Sequence, residues 1–187
     1  MLEKEGFTTG AVIGVKKGHY SKILLENWPS CTSFYLIDVW QHLNNYEDLA
    51  NQNDVVQNRI YNEALNSTSK WKNKIKVLRM YSSEAAKQIP NGSLDFAYID
   101  ARHDYCGVLE DIVSYWPKIR SGGILAGHDY VSHEEVGGRN DWTVCSDGRH
   151  EPGSVKRAIL EFSASVGVQV VVTYRERHYN SWLMRKP

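Results

Sequence analysis

Apolar positions along this chain switch repeatedly between two spacings. Short strand-like runs, as expected of strands buried on both faces, fall at residues 11–15, 33–39, 74–80, 94–100, 124–127 and 168–173. Between them apolar residues recur every three or four positions, the spacing of one helix face. Tyr20, Ile23 and Leu24 do so within 19–27, and Val55, Val56, Ile60 and Ala64 within 54–65. The clearest stripe is Tyr105, Val108, Leu109, Ile112, Val113 and Trp116, closed by Pro117. Residues 82–88 predict a short helix before Pro90, and 121–123, Ser-Gly-Gly, predict a turn into the next strand. Residues 154–166 form a last helix with Val155, Ala158, Ile159 and Phe162 inward, stopped by Gly167.

This alternation predicts an α/β fold: a mostly parallel sheet of roughly seven strands, with five or six helices on both faces. The final strands, 168–173 and 179–184, have no helix between them, so one of the two must run antiparallel. No repeat or shift of composition divides the chain, and residues 1–187 read as a single domain. Two connections are long, 40–53 and 130–153. The second exceeds the usual loop and predicts a substrate-side loop.

Charge and cysteine content narrow the class. Lys plus Arg and Asp plus Glu are 22 each, so there is no general basic field for nucleic acid. No apolar run approaches the roughly eighteen residues of a membrane span, and residues 1–10 do not resemble a secretory signal. Cys31, Cys106 and Cys145 are few, odd in number and without CxxC spacing. Three free thiols in a cytoplasmic protein are expected, rather than a disulfide.

The chemistry gathers at the carboxyl ends of the predicted strands, where open parallel sheets bind ligands. Gly14 and Gly18 bracket the first turn, which matches neither GxGxxG nor GxxxxGK[ST]. Asp38 ends the second strand, 24 residues after Gly14, placed to accept ribose hydroxyls. Asp100, His103 and Asp104 follow one strand, and His128 and Asp129 the next. Carboxylates and imidazoles there suit a divalent ion, acid–base work or a structural hydrogen-bond network. No G-x-S-x-G elbow is present, so a covalent intermediate is not expected, and Cys106 and Cys145 read as bystanders. In the long loop, Arg139 is the candidate counter-charge for an acidic substrate and Trp142 the candidate pocket wall, with Gly137-Gly138 as a hinge.

The segments VIGVKKGHYSKILL (12–25), FYLIDVW (34–40), LDFAYIDARHDYCGVLEDI (94–112), SGGILAGHDY (121–130), GSVKRAILEF (153–162) and NSWLMRKP (180–187) together resemble class I S-adenosylmethionine-dependent methyltransferases. More narrowly the chain resembles the Methyltransf_24 group, related to catechol O-methyltransferase and macrocin O-methyltransferase-like enzymes. The resemblance implies a Rossmann-like sheet ordered 3-2-1-4-5-7-6 with strand 7 antiparallel. It implies that Gly14 and Gly18 flank the methionine part of the cofactor. Asp38 would hold the ribose, Ser82 and Ser83 would lie near the adenine, and Asp100 would sit below the methyl group.

By the same resemblance Asp100, His128 and Asp129 occupy the metal positions of metal-dependent members. His128 replaces an oxygen ligand, which shifts preference from Mg²⁺ toward Mn²⁺, Fe²⁺ or Zn²⁺. Without metal, His128 would be the base, with His103 as a second base or orienter. Where the family carries an acid two positions before the first glycine, this chain has Val12. The implied activity is methyl transfer to an oxygen of a small molecule by in-line displacement. A nitrogen acceptor, a noncatalytic cofactor- or metal-binding module and a nucleotide-dependent oxidoreductase stay open. A partner copy, as a homodimer, could complete the pocket.

Overall fold

The computed structural model describes residues 1–137, 140–174, 176 and 179–187. Its strands are β1 (Thr9–Ile13), β2 (Ser33–Asp38), β3 (Ile75–Arg79), β4 (Leu94–Ile99), β5 (Ile119–Gly127), β6 (Val170–Val172) and β7 (Trp182–Arg185). They form one seven-stranded sheet in the order β3-β2-β1-β4-β5-β7-β6. Strands β1 to β5 pair in parallel, and β7 runs antiparallel to both β5 and β6. Both the order and the reversed strand match the expectation. The helices are α1 (His19–Glu26), α2 (Asp54–Thr68), α3 (Ser82–Lys87), α4 (Tyr105–Tyr115) and α5 (Ser154–Val166).

The period-two alternation of the strands divides the core into two layers. Ala11 and Ile13 of β1 face one layer, with Ile37, Ala97, Ile99, Leu125 and Met184; α3, α4 and α5 cover it with Ala85, Ile112, Tyr115, Ala158 and Ile159. Val12 faces the other layer, with Leu36, Phe96, Tyr98 and Ala126; Leu25 of α1 and Ile60 and Ala64 of α2 close it. Each fully buried large apolar side chain contributes about 1.5–3 kcal/mol, and every residue of β4 is buried. β4 is accordingly apolar but for Asp95, whose carboxylate accepts from the N–H groups of Thr8 and Thr9 and from Arg120. Asn53 and Asp104 cap α2 and α4 by accepting the backbone N–H of Val56 and Gly107.

The structure departs from the expected elements at two places. The Ser121-Gly122-Gly123 segment is not a turn before β5 but a bulge within it, marked by a register shift against β4. Lys186 donates to the Gly123 carbonyl and Gly122 donates to the Lys186 carbonyl, so the chain's last residues hold the glycines in the sheet. Cys106 and Cys145 are not free. They form a disulfide between the start of α4 and the long loop, and Cys31 alone is a buried free thiol. Their separation of 39 residues carries no spacing signal, which is why the sequence did not reveal the pair. The expectation of a cytoplasmic chain drew on three free thiols and loses that support. No helix among the described residues is long and apolar enough to cross a membrane.

Two outcomes follow from these packing features. Replacing both Cys106 and Cys145 by Ser should lower the denaturant midpoint by the equivalent of about 2–4 kcal/mol, because a loop of this length is freed in the unfolded chain. An intact mass of the unreduced protein two hydrogens heavier than the disulfide form would contradict this. The second concerns Asp111 on α4, which is 2% exposed. Its Oδ1 has no partner among the described residues. Burial pushes its carboxyl up to about 7, against the lowering bond from Ser82. The folded form therefore holds a proton that the unfolded chain has lost, and stability falls as pH rises from about 4 to about 7. Asp111→Asn should flatten that fall and, above pH 7, stabilise by about 2–4 kcal/mol. Urea titrations across pH 4–8 measure it; parallel curves for the two proteins would refute it.

Candidate active site

The parallel register of β1, β4 and β5 pairs Ile13 with Ile99 and Ile99 with Gly127. Gly14, Asp100 and His128 therefore leave the sheet at one level. Gly14 has φ 87°, and a Cβ there would lie 1.8 Å from the Asp100 carbonyl oxygen. Only glycine permits this packing. Asp38 ends β2 and accepts the N–H of Lys16 and of Trp40, each at 2.9 Å. Burial pushes its carboxyl up, and those backbone bonds oppose the shift. It thus shapes the glycine turn as well as facing the cavity.

A cavity of about 1460 Å³ opens along this carboxyl edge. Gly14, Asp38, Ser82, Ser83, Asp100, His103, His128, Asp129 and Trp142 all line it. Gly18 does not. It packs against α2, where a Cβ would meet the Ser67 hydroxyl at 2.7 Å and Ala64 at 3.2 Å. Val12 is 1% exposed in the apolar layer beneath α1 and α2.

At the tips of β4 and β5, His103 stands among carboxylates. Its Nε2 lies 3.3 Å from Asp100 Oδ1 and 3.2 Å from Asp129 Oδ2. Its Nδ1 lies 3.2 Å from Asp48 Oδ2 and 3.0 Å from the Tyr46 hydroxyl. Burial opposes the charge, but the bonds to Asp100 and Asp48 and the nearby Asp129 outweigh it and raise the imidazole to about 10. In turn Asp48 falls to about 2: burial works against its charge, and His103 and the bonds from Ala50 and Trp142 prevail. His128 sits apart from this group. Its Nδ1 bonds Asp129 Oδ1 at 2.8 Å and its Nε2 approaches Glu176 Oε2 at 3.4 Å. The bond to Asp129 raises its basicity, opposed by burial.

The donor atoms of Asp100, His103 and Asp129 lie within 4.8 Å of one another, as metal coordination requires. The family resemblance implies His128 in such a set; the close group among the described residues holds His103, and His128 contacts Asp129 Oδ1. Asp48, Tyr46 and Glu176 were missed. The first two lie in the connection 40–53, noted only for its length.

The long loop is anchored rather than free. Trp142 is 3% exposed. Its indole donates to Asp48 Oδ2 at 2.8 Å, and its ring lies 4.4 Å from that of His103. Arg102 pairs with fully buried Asp104 and donates to the carbonyls of Asn45 and Val144, joining both long connections. Arg139 and Gly138 lie outside the described residues.

A family described as a methyltransferase domain, Methyltransf_24, matches residues 11–130. The chain belongs to this family. It is an S-adenosylmethionine-dependent methyltransferase. Solved structures share the fold at low identity. An O-methyltransferase from Bacillus cereus, in complex with S-adenosylhomocysteine, is 14% identical with a TM-score of 0.63, covering 98% of this chain and 75% of that one. A putative caffeoyl-CoA O-methyltransferase from Staphylococcus aureus is 12% identical with a TM-score of 0.66, covering 98% and 78%. Human N-acetylserotonin methyltransferase, in complex with S-adenosylmethionine, is 12% identical with a TM-score of 0.57, covering 97% and 48%. No curated protein sequence matches the chain.

For this methyltransferase, Asp38→Ala should weaken S-adenosylhomocysteine binding by about 1–3 kcal/mol, the cost of an unmet ribose bond. Calorimetry measures it, with circular dichroism to verify the fold. Unchanged affinity in the folded variant would take the ribose away from Asp38.

Proposed function

We propose that this methyltransferase alkylates a hydroxyl oxygen of a small molecule at the tips of β4 and β5. One observation carries the reading: two imidazoles and three carboxylates, Asp48, Asp100 and Asp129, converge on the cavity that the Gly14 turn and Asp38 also line. The cavity suits the cofactor, because the Gly14 turn, Asp38, Ser82 and Ser83 line one continuous space along the carboxyl edge of the sheet. Asp38 would take the ribose hydroxyls and Ser82 and Ser83 the adenine end. The bound cofactor supplies an electrophilic methyl group on a sulfonium.

The remaining work belongs to the chain's own residues. His128, 29% exposed at its side chain, takes the acceptor's hydroxyl proton on Nε2 once the hydroxyl displaces Glu176 from that nitrogen, while Asp129 holds Nδ1. The acceptor oxygen then forms its bond to carbon as the carbon–sulfur bond breaks, and the sulfur keeps the electron pair. Trp142 and Tyr46 wall off water. Asp100, His103 and Asp129 fit a divalent ion such as Mn²⁺, since two carboxylates and an imidazole mix hard and borderline donors. Such an ion would supply charge stabilisation for the ionised acceptor. Arg139 remains the candidate counter-charge for an acidic acceptor.

The experiment uses methyl-labelled S-adenosylmethionine with caffeoyl-CoA, N-acetylserotonin, simple catechols and matched amines. Label should pass to hydroxyl acceptors. His128→Ala should cut turnover by about 10²–10⁴-fold with S-adenosylhomocysteine binding intact. Chelation should suppress turnover, and Mn²⁺ should restore it. Activity indifferent to chelation would leave His128 working without an ion; label on amines alone would refute the oxygen assignment.

A further inference from the structure

We propose that Asp48 is the positioning residue of this site, one carboxylate that sets the proton placement of His103 and the seat of Trp142 together. It lies in the connection 40–53, between β2 and α2, and its side chain is 7% exposed. Burying an ion there is costly unless it is fully paired. Three donors meet it: the Ala50 N–H at 2.7 Å on Oδ1, and the Trp142 indole at 2.8 Å with His103 Nδ1 at 3.2 Å on Oδ2. The partners come from its own turn, from the far end of the long loop and from the segment after β4. Asp48 therefore joins three walls that no single element spans.

The hydrogen-bond pattern assigns the His103 proton. Tyr46 donates its hydroxyl hydrogen to the Ala101 carbonyl at 3.3 Å, because a carbonyl can only accept. Its oxygen is then left to accept from His103 Nδ1 at 3.0 Å. The ionised Asp48 can also only accept. Two acceptors on Nδ1 require that Nδ1 carry a hydrogen. Nε2 faces the carboxylates of Asp100 and Asp129, which also only accept, so in the free chain it carries a hydrogen too and is the nitrogen that gives its hydrogen up when a cation takes its place. A carboxylate behind an imidazole, fixing its tautomer and orientation, is the arrangement that aims the opposite nitrogen at a proton or a cation. Tyr46 alone would not suffice, since a phenol can turn from acceptor to donor whereas Asp48 cannot.

The indole adds the coupling. Trp142 stands 4.4 Å from the His103 ring and shares its carboxylate oxygen. Lifting the long loop away would therefore take the indole from Asp48 and uncover His103 at once. The inference concerns the site already proposed to methylate, but its test does not need an acceptor.

The full chain is compared with Asp48→Ala and Asp48→Asn, both free and with S-adenosylhomocysteine. Imidazole nitrogen shifts of His103, assigned with His103→Gln, report the protonated nitrogen. Acrylamide quenching of Trp142, assigned with Trp142→Phe, reports the loop. The free wild type should show both nitrogens protonated, the wild type with added Zn²⁺ should show Nδ1 alone protonated, and Trp142 should be protected. With Zn²⁺ present Asp48→Ala should give mixed nitrogen shifts, and with or without it the variant should raise quenching at least about twofold, while S-adenosylhomocysteine affinity stays within about threefold. Added Mn²⁺ should bind about 10–100-fold more weakly. Asp48→Asn, whose amide oxygen still accepts, should recover the Trp142 signal. A folded Asp48→Ala with wild-type nitrogen shifts and quenching overturns the proposal. If that variant does not fold, Asp48→Ser is read by the same criteria. A wild type that binds no S-adenosylhomocysteine would sink the cofactor reading instead, leaving the His103 and Trp142 readouts to decide Asp48 in the free chain.

Discussion

Strands β1 and β4 run together to their carboxyl ends only because position 14 carries no side chain. A Cβ at Gly14 would be driven into the Asp100 backbone, 1.8 Å from its carbonyl oxygen. The Asp100 N–H instead donates to the Ile13 carbonyl at 2.7 Å. That contact brings the glycine turn, the Asp100 carboxylate and the end of β5 to one level. The cavity is the space left above them, in the crevice where the direction of strand order reverses. The site is thus a consequence of sheet register before any loop is added.

The loops then close it with charge. His103 is an imidazole among Asp48, Asp100 and Asp129, and Arg102 ties fully buried Asp104 to both long connections. Buried ions of this kind are weak sources of stability, because desolvation offsets most of the attraction. Their value lies in geometry, since both oxygens of Asp48, of Asp104 and of Asp129 are committed to particular partners. The Cys106–Cys145 link and the Trp142 indole fix the long loop against the same group. A reacting hydroxyl entering here would meet oriented acceptors rather than mobile water.

Much of this was legible in the chain. The change from period two to period 3.6 marks the strands and helices, and the missing helix before the last strand marks the antiparallel strand β7, between β5 and β6. Asp38, Asp100, His128 and Asp129 were visible because they end strands, where a parallel sheet presents its ligands. Asp48 and Tyr46 were not, since neither follows a periodic segment and their partners lie 55 and 57 residues away at His103. That His103 as well as His128 meets Asp129 was not legible either: Asp129 sits at a positive φ of 55°, and its two oxygens contact different imidazoles. No spacing rule encodes that turn. The Cys106–Cys145 pair and the bulge at Gly122-Gly123 depend likewise on contacts far along the chain.

The claim on which these parts converge is that the carboxyl-edge cavity seats the methyl donor with its sulfur toward Asp100, His103 and Asp129. A crystal structure of the full chain with S-adenosylhomocysteine measures this directly. The account predicts ribose hydroxyls on Asp38, adenine beside Ser82 and Ser83, and the sulfur facing the three site residues. A product cofactor bound elsewhere, or turned so that its sulfur lies remote from Asp100, would contradict it.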